Sequence, residues 1–170
     1  MSNTSSKVRR AWPAPIATDE MRLHLDFLAF LRATAVNKVA GLTRELAAAA
    51  PLPTSPRMSA LGVLKHLTAV ERWWLSIEAG GKDHPSLWAG SPDPSWDLTP
   101  EDAPASVIRA YRDEWARTEK SLTGLIPDDR TRRSREFTVR WVLEHVVQET
   151  ARHVGHLDLL REFADGEVGE

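Results

Sequence analysis

Cysteine is absent from all 170 residues. That absence removes disulfides, thiolate zinc sites and a protein thiol nucleophile together, so any metal must be held by histidine and carboxylate side chains. An excess of either charge is also missing: 22 Lys and Arg stand against 24 Asp and Glu, a formal net charge of −2. Nothing global therefore attracts a nucleic acid backbone or an anionic lipid surface. No window approaches the roughly 18 consecutive apolar residues of a membrane span. The opening "MSNTSSKVRRAWPAPIATDE" carries charge without an apolar core of the signal-peptide type. The expectation is a cytoplasmic protein with neither a membrane nor a nucleic acid partner. The mixed-sign run "DDRTRRSRE" fits a solvated loop better than a phosphate-binding patch. Strand-like alternation, internal repeats and low-complexity tracts are absent too, which leaves an all-α chain. Tyrosine is reduced to a single residue while tryptophan numbers seven. An indole has a large area to bury and an N–H to satisfy, so core packing is the ordinary expectation for most of the seven.

What is present organises into helices. Residues 1–17, polar and with Pro13 and Pro15, read as a flexible N-terminal segment, and residues 18–170 as a single domain. Thr18 is placed to cap a first helix running to about Ala48, with Leu23, Phe27, Phe30, Leu31 and Leu42 at helical steps, before "APLPTSPRM" breaks it. Ser59 caps a second helix to about Ala79, with Leu64, Leu67, Val70, Trp74 and Ile77 along one side. "GGKDHPSLWAGSPDPSWD" is rich in Gly and Pro and reads as an irregular crossover; connections of that length tend to be functional. A third helix begins at Thr99 and Pro100, or at Pro104, and carries Val107, Tyr111, Trp115 and Leu122 to Gly124. A fourth runs from Thr138 to Gly166. Four helices with a long connection between the second and third predict a four-helix bundle in which those two run the same way.

Chemistry concentrates in "LEHVVQETARHVGHLDLLRE" on the fourth helix. His145, Glu149, His153 and His156 fall within an arc of about 80° at 100° per residue, beside Trp141, Val142, Val146, Leu157 and Leu160. A carboxylate on such a face needs a compensating charge, and either a metal ion or an imidazolium supplies it. A metal needs a ligand from another element. His66, in "LGVLKHLTAVERWW" beside Val70, Trp73 and Ile77, is the best candidate. With Glu149 and His153 it makes a three-ligand N/O set that leaves a coordination position open. Val147 and Val154 lie on the opposite side of that helix, a hint of a homodimer surface. His24 and His84 read as surface residues.

Three segments, "FLRATAVNKVAGLTRELA", "SALGVLKHLTAVERWW" and "VRWVLEHVVQETARHVGHLDLLREFADG", resemble the DinB-like superfamily. The likeness is strongest to its actinobacterial branch, which includes the mini-circle proteins and the mycothiol-dependent maleylpyruvate isomerase-like N-terminal domains, and it covers about residues 19–167. The resemblance implies a bundle in up-down-down-up order. It also implies a metal held by His66, Glu149 and His153, although many relatives have histidine where this chain has Glu149. The extra negative charge favours zinc, with nickel, iron or manganese open. The implied activity is transfer of a small thiol such as mycothiol, activated as thiolate, to a small electrophilic substrate. His145 and His156 are then candidates for proton transfer or for orienting the ligands, and Trp73, with Trp88 and Trp96, for walling the cofactor cleft. The alternative reading is a stress-related, dimerising bundle that binds metal or nothing and catalyses nothing.

Overall fold

The structure is a computed structural model that describes residues 7–88 and 90–169. About 57% of the described residues are helical, and no strand occurs among them. The first helix, α1 (Glu20–Val39), is capped by Asp19, whose carboxylate accepts from the Arg22 backbone N–H at 3.0 Å, so the cap lies one residue beyond Thr18. It stops earlier than the apolar pattern implies. Gly41 adopts φ +84, a left-handed conformation that ends a helix, and Thr43 then caps a separate short helix, α2 (Arg44–Ala48).

The helix α3 (Ala60–Glu71) begins at Ser59, whose hydroxyl accepts from the Gly62 N–H at 3.0 Å. It continues directly into a π-helical segment, Arg72–Ala79. Gly80 closes that segment against the end of the next helix: a Cβ there would lie 2.7 Å from Ser121 Cβ. The crossover that follows contains one 3₁₀ turn, Pro94–Trp96. Pro104, not Thr99, opens α4 (Pro104–Ser121), and Thr99 belongs to a turn held by the Asp102 carboxylate. The last helix, α5 (Val139–Asp165), is capped by Thr138 and ended by Gly166 at φ +78, as its sequence signals require.

The helix α1 packs on α5, while α3 contacts both α4 and α5. Leu61, Leu64, Leu67, Tyr111, Leu157 and Leu160 form one apolar cluster, and Leu28, Val70, Leu75, Leu143 and Val146 another. Burying each side chain of this size stabilises the fold by about 1.5–3 kcal/mol. Val154, read from spacing as outward-facing, is buried in the first cluster and offers no surface to a second copy. Trp141 is 45% exposed instead of core-facing, and all seven tryptophans are half-buried or exposed. Residues 1–6 of the N-terminal segment lie outside the described residues; its remainder follows α1, with Val8 N–H donating to Asn37 Oδ1 at 2.6 Å and Trp12 stacked on Phe30. No helix among the described residues is long and apolar enough to cross a membrane.

Candidate metal centre

A four-residue step on a helix returns a side chain to the same face, and on α5 this brings Glu149 under His153. His153 Nε2 lies 3.2 Å from Glu149 Oε1. Packing of α3 on α5 adds His66 from the opposite side, with Nε2 at 3.7 Å from the same carboxylate oxygen. Ligand atoms of all three residues fall within 4.8 Å of one another. Donors at about 2.0–2.1 Å from a tetrahedral ion stand about 3.3 Å apart, so this trio needs only small adjustments to surround one.

The electrostatics suit that use. Burial, opposed by the Asp93 and Glu149 carboxylates, holds the His66 imidazole below its ordinary pKa. His153 is pushed down to about 4, first by burial and then by neighbouring His66. Both rings are therefore neutral at pH 7, the form that binds metal. Glu149 keeps its side chain 18% exposed and has Arg152 Nη1 at 3.6 Å from Oε2. Two neutral imidazoles and one carboxylate match the donor set of a first-row divalent ion.

The other site candidates separate. His156 lies beside the trio, its Nδ1 3.2 Å from His153 Nδ1. His145, one helical turn before Glu149, has aromatic partners: it stacks on Trp141 with centroids 5.1 Å apart and meets Trp74 edge-on at 4.7 Å. Trp96 covers the cluster, stacked on His66 at 4.4 Å and lying 5.5 Å from His153. Trp88 stands 6.3 Å from His66, and Trp73 is one layer further out, 5.9 Å from Trp88 with the Arg133 guanidinium over its ring. His84, expected at the surface, is half-buried, and so is His24, between Glu20 and Glu144.

Two residues not singled out from sequence also reach the cluster. Ser95 Oγ is 3.0 Å from His66 Nδ1, and Asp93 Oδ2 is 3.5 Å from the same nitrogen. Their one local signal is "DPSW", in which an Asp two residues before a Ser is a turn-forming pattern. The structure bears that turn out: Asp93 Oδ1 accepts from the Ser95 N–H at 2.8 Å. Ser95 also lines a cavity of about 320 Å³ between α3, the crossover and α4, walled by Lys65, Thr68, Leu87 and Val107.

A family model described as mycothiol-S-transferase matches residues 23–166. That family is DinB-like, in keeping with the resemblance carried by the three quoted segments. No curated protein and no solved structure matches the chain.

Proposed function

The chain belongs to the mycothiol S-transferase family, and on that premise we propose that His66, Glu149 and His153 hold one divalent metal ion that activates a small thiol of the mycothiol type for transfer to an electrophile. The observation that carries this reading is the convergence of the three donor side chains between α3 and α5. An ion held by these three residues would supply the positive charge that lowers the pKa of a small thiol toward its thiolate form at neutral pH. Zinc is the first candidate, and nickel, iron or manganese suit the same donors.

Because the protein has no cysteine, the sulfur belongs to the small thiol. Its S–H bond breaks, a sulfur–carbon bond forms at the electrophilic carbon, and the displaced electron pair leaves with the departing group or moves onto the adjoining atom of the electrophile. A proton from the thiol balances that charge. Of the two histidines considered for moving it, His156 is given the role, because it contacts His153 and is half-exposed, open to exchange with water. His145, held between Trp74 and Trp141, takes no part. Trp96 and Trp88 shield the reacting atoms from solvent, with Trp73 behind them. The cavity beside Ser95 accommodates an apolar portion of a substrate. The proposal includes an up-down-down-up course for the four long helices, which the long connection between the π-segment and α4 supports.

Bound metal per chain, measured by mass spectrometry on untagged protein, tests the site. Near-stoichiometric metal in the parent and little in folded Glu149→Ala and His153→Ala variants is expected, together with thiol-dependent loss of an electrophile that follows metal content. Failure to load metal even after incubation with zinc or nickel would overturn the site. Loaded metal without any thiol-dependent turnover would favour the non-catalytic metal-binding bundle.

A further inference from the structure

Proton bookkeeping around His66 leads further. Ser95 has one hydroxyl hydrogen, and its oxygen lies 2.9 Å from Asp93 Oδ2. A carboxylate only accepts, so that hydrogen is donated to Asp93. The remaining Ser95 contact, 3.0 Å to His66 Nδ1, then requires the ring nitrogen to be the donor. A neutral imidazole carries one N–H, so His66 is protonated at Nδ1 and its Nε2 is a bare lone pair. That lone pair is directed toward Glu149 Oε1 at 3.7 Å, acceptor facing acceptor. We infer that Asp93 and Ser95 are positioning residues that lock His66 in its Nδ1–H tautomer and thereby present Nε2 for metal binding. The role rests on the metal reading above but is decided by a property of the metal-free protein as well.

The clamp is itself held in place. Ser95 is 6% exposed, and Asp93 is tied by both its oxygens to the 3₁₀ turn, through the Ser95 N–H and the Ser95 hydroxyl. The Arg57 guanidinium donates to the Asp93 carbonyl and, at 2.8 Å, to the Asp97 carboxylate. Lys65, adjacent to His66, reaches across to the Asp102 carboxylate at 2.7 Å. Trp96, the residue after Ser95, stacks on the His66 ring with 19° between planes and fixes its rotation. The crossover thus has a physical use: it carries the hydrogen-bond partner that a ligating histidine needs on its second nitrogen. Partners of this kind are worth about 10–100-fold in metal affinity.

The test uses the full chain as the parent, Ser95→Ala, Ser95→Thr and Asp93→Asn. Nitrogen-15 ring correlations of the metal-free proteins at neutral pH report the His66 tautomer, and competition with a chromophoric chelator reports zinc affinity. The parent and Ser95→Thr are expected to show Nδ1–H at His66. Ser95→Ala is expected to populate the Nε2–H form and to bind zinc about 10–100-fold more weakly, with Asp93→Asn between them. A parent His66 protonated at Nε2, or a Ser95→Ala variant with the parent's tautomer and affinity, overturns the inference. If the parent takes up no zinc, the metal reading falls, and the tautomers of the parent and Ser95→Ala still decide whether the clamp exists.

Discussion

Removing the Arg32 guanidinium is expected to destabilise the protein more than the loss of any surface ion pair. Arg32 is 3% exposed and Glu71 fully buried. Nε and Nη2 of the arginine reach the two carboxylate oxygens at 2.9 and 2.5 Å, and Nη2 also donates to Thr118 Oγ1 at 2.9 Å. In Arg32→Met the Glu71 carboxylate stays inside with no cation, a change worth about 3–5 kcal/mol. At about 2–4 °C per kcal/mol for a chain of this size, the melting temperature falls by about 6–20 °C. In Arg32→Met/Glu71→Leu both charges leave together. Thr118 is no orphan there, because its hydroxyl already donates to the Trp115 carbonyl at 2.9 Å. The double variant is therefore expected to regain most of the loss, since apolar replacements of a buried pair are often neutral or better. Urea unfolding of the parent, both single variants and the double variant gives the coupling energy. A single variant within about 1 kcal/mol of the parent, or a double variant no more stable than Arg32→Met, would refute the reasoning by showing that water reaches Glu71.

With His153 near 4 and His66 also lowered, the unfolded chain, with histidines near 6.5, binds more protons than the folded one between those values, so stability rises with pH. The metal-free protein should hold its full stability above about pH 6.5 and lose it progressively toward pH 4; denaturant midpoints across that range should slope less in His153→Leu, and an unchanged slope would exclude His153 as the source. Glu78 is 4% exposed and accepts from the Thr131 hydroxyl at 2.7 Å and from the Ser134 hydroxyl and N–H, pinning the arginine-rich loop. Glu78→Ala should cost about 2–3 kcal/mol and make the loop at Arg130, Arg132 and Arg133 the first site of limited trypsin digestion; parent-like resistance would disprove the pinning. Gly80→Ala brings a methyl within 2.7 Å of Ser121 Cβ and should cost about 1–3 kcal/mol by calorimetry, whereas Gly155→Ala, with nothing within 4 Å, should cost nothing or stabilise α5.

Where a boundary depends on one residue's own chemistry, it was legible in the sequence: Ser59, Thr138 and Gly166 cap as their types require. The pairing of Glu149 with His153 was legible for a similar reason, since a four-residue step needs only a helix to make two side chains neighbours. The break in α1 was hidden because Leu42 continues the apolar period across Gly41, and periodicity does not record a left-handed φ. The π-segment was hidden because Leu75, Ser76, Ile77, Glu78 and Ala79 are all buried, so no single face exists from which a change of helical period could be read. Asp93 and Ser95 were beyond reach altogether: their partner His66 is 27 and 29 residues away across an irregular crossover, where no period links them. His145 shares the helical arc of Glu149 one turn away, but an arc on one helix does not record the partner that another element supplies, and here Trp74 meets its ring edge-on while Trp141 stacks on it.

Charge balance separates the two polar layers of the interior. In one, Arg32 and Arg72 stand against Glu71 and Glu114, two cations and two anions joined by hydrogen bonds of 2.5 to 3.1 Å. Each carboxylate of that layer has a guanidinium partner, and Glu114 has a second one in Arg117 at 3.0 Å. The other layer holds Glu149 between two imidazoles that burial keeps neutral, with the half-buried Asp93 carboxylate 3.5 Å from His66 on its far nitrogen. The arginine paired with Glu149 is Arg152, 57% exposed at its side chain and 3.6 Å away, where solvent screens it. Glu149, the more buried of the two carboxylates, is a negative charge with a standing preference for a cation. A divalent ion would overshoot the charge of Glu149 by one, and one bound anion would restore the balance on that side of the site. A deprotonated thiol is such an anion, while a neutral thiol or alcohol is not. Exchanging Glu149 for histidine therefore has a calculable consequence. Glu149→His leaves two positive charges to be matched instead of one, so a metal-loaded Glu149→His protein should bind chloride or a second thiolate more tightly than the parent. Anion competition against thiol binding measures it, and equal chloride sensitivity in the two proteins would show that charge balance does not govern the open position.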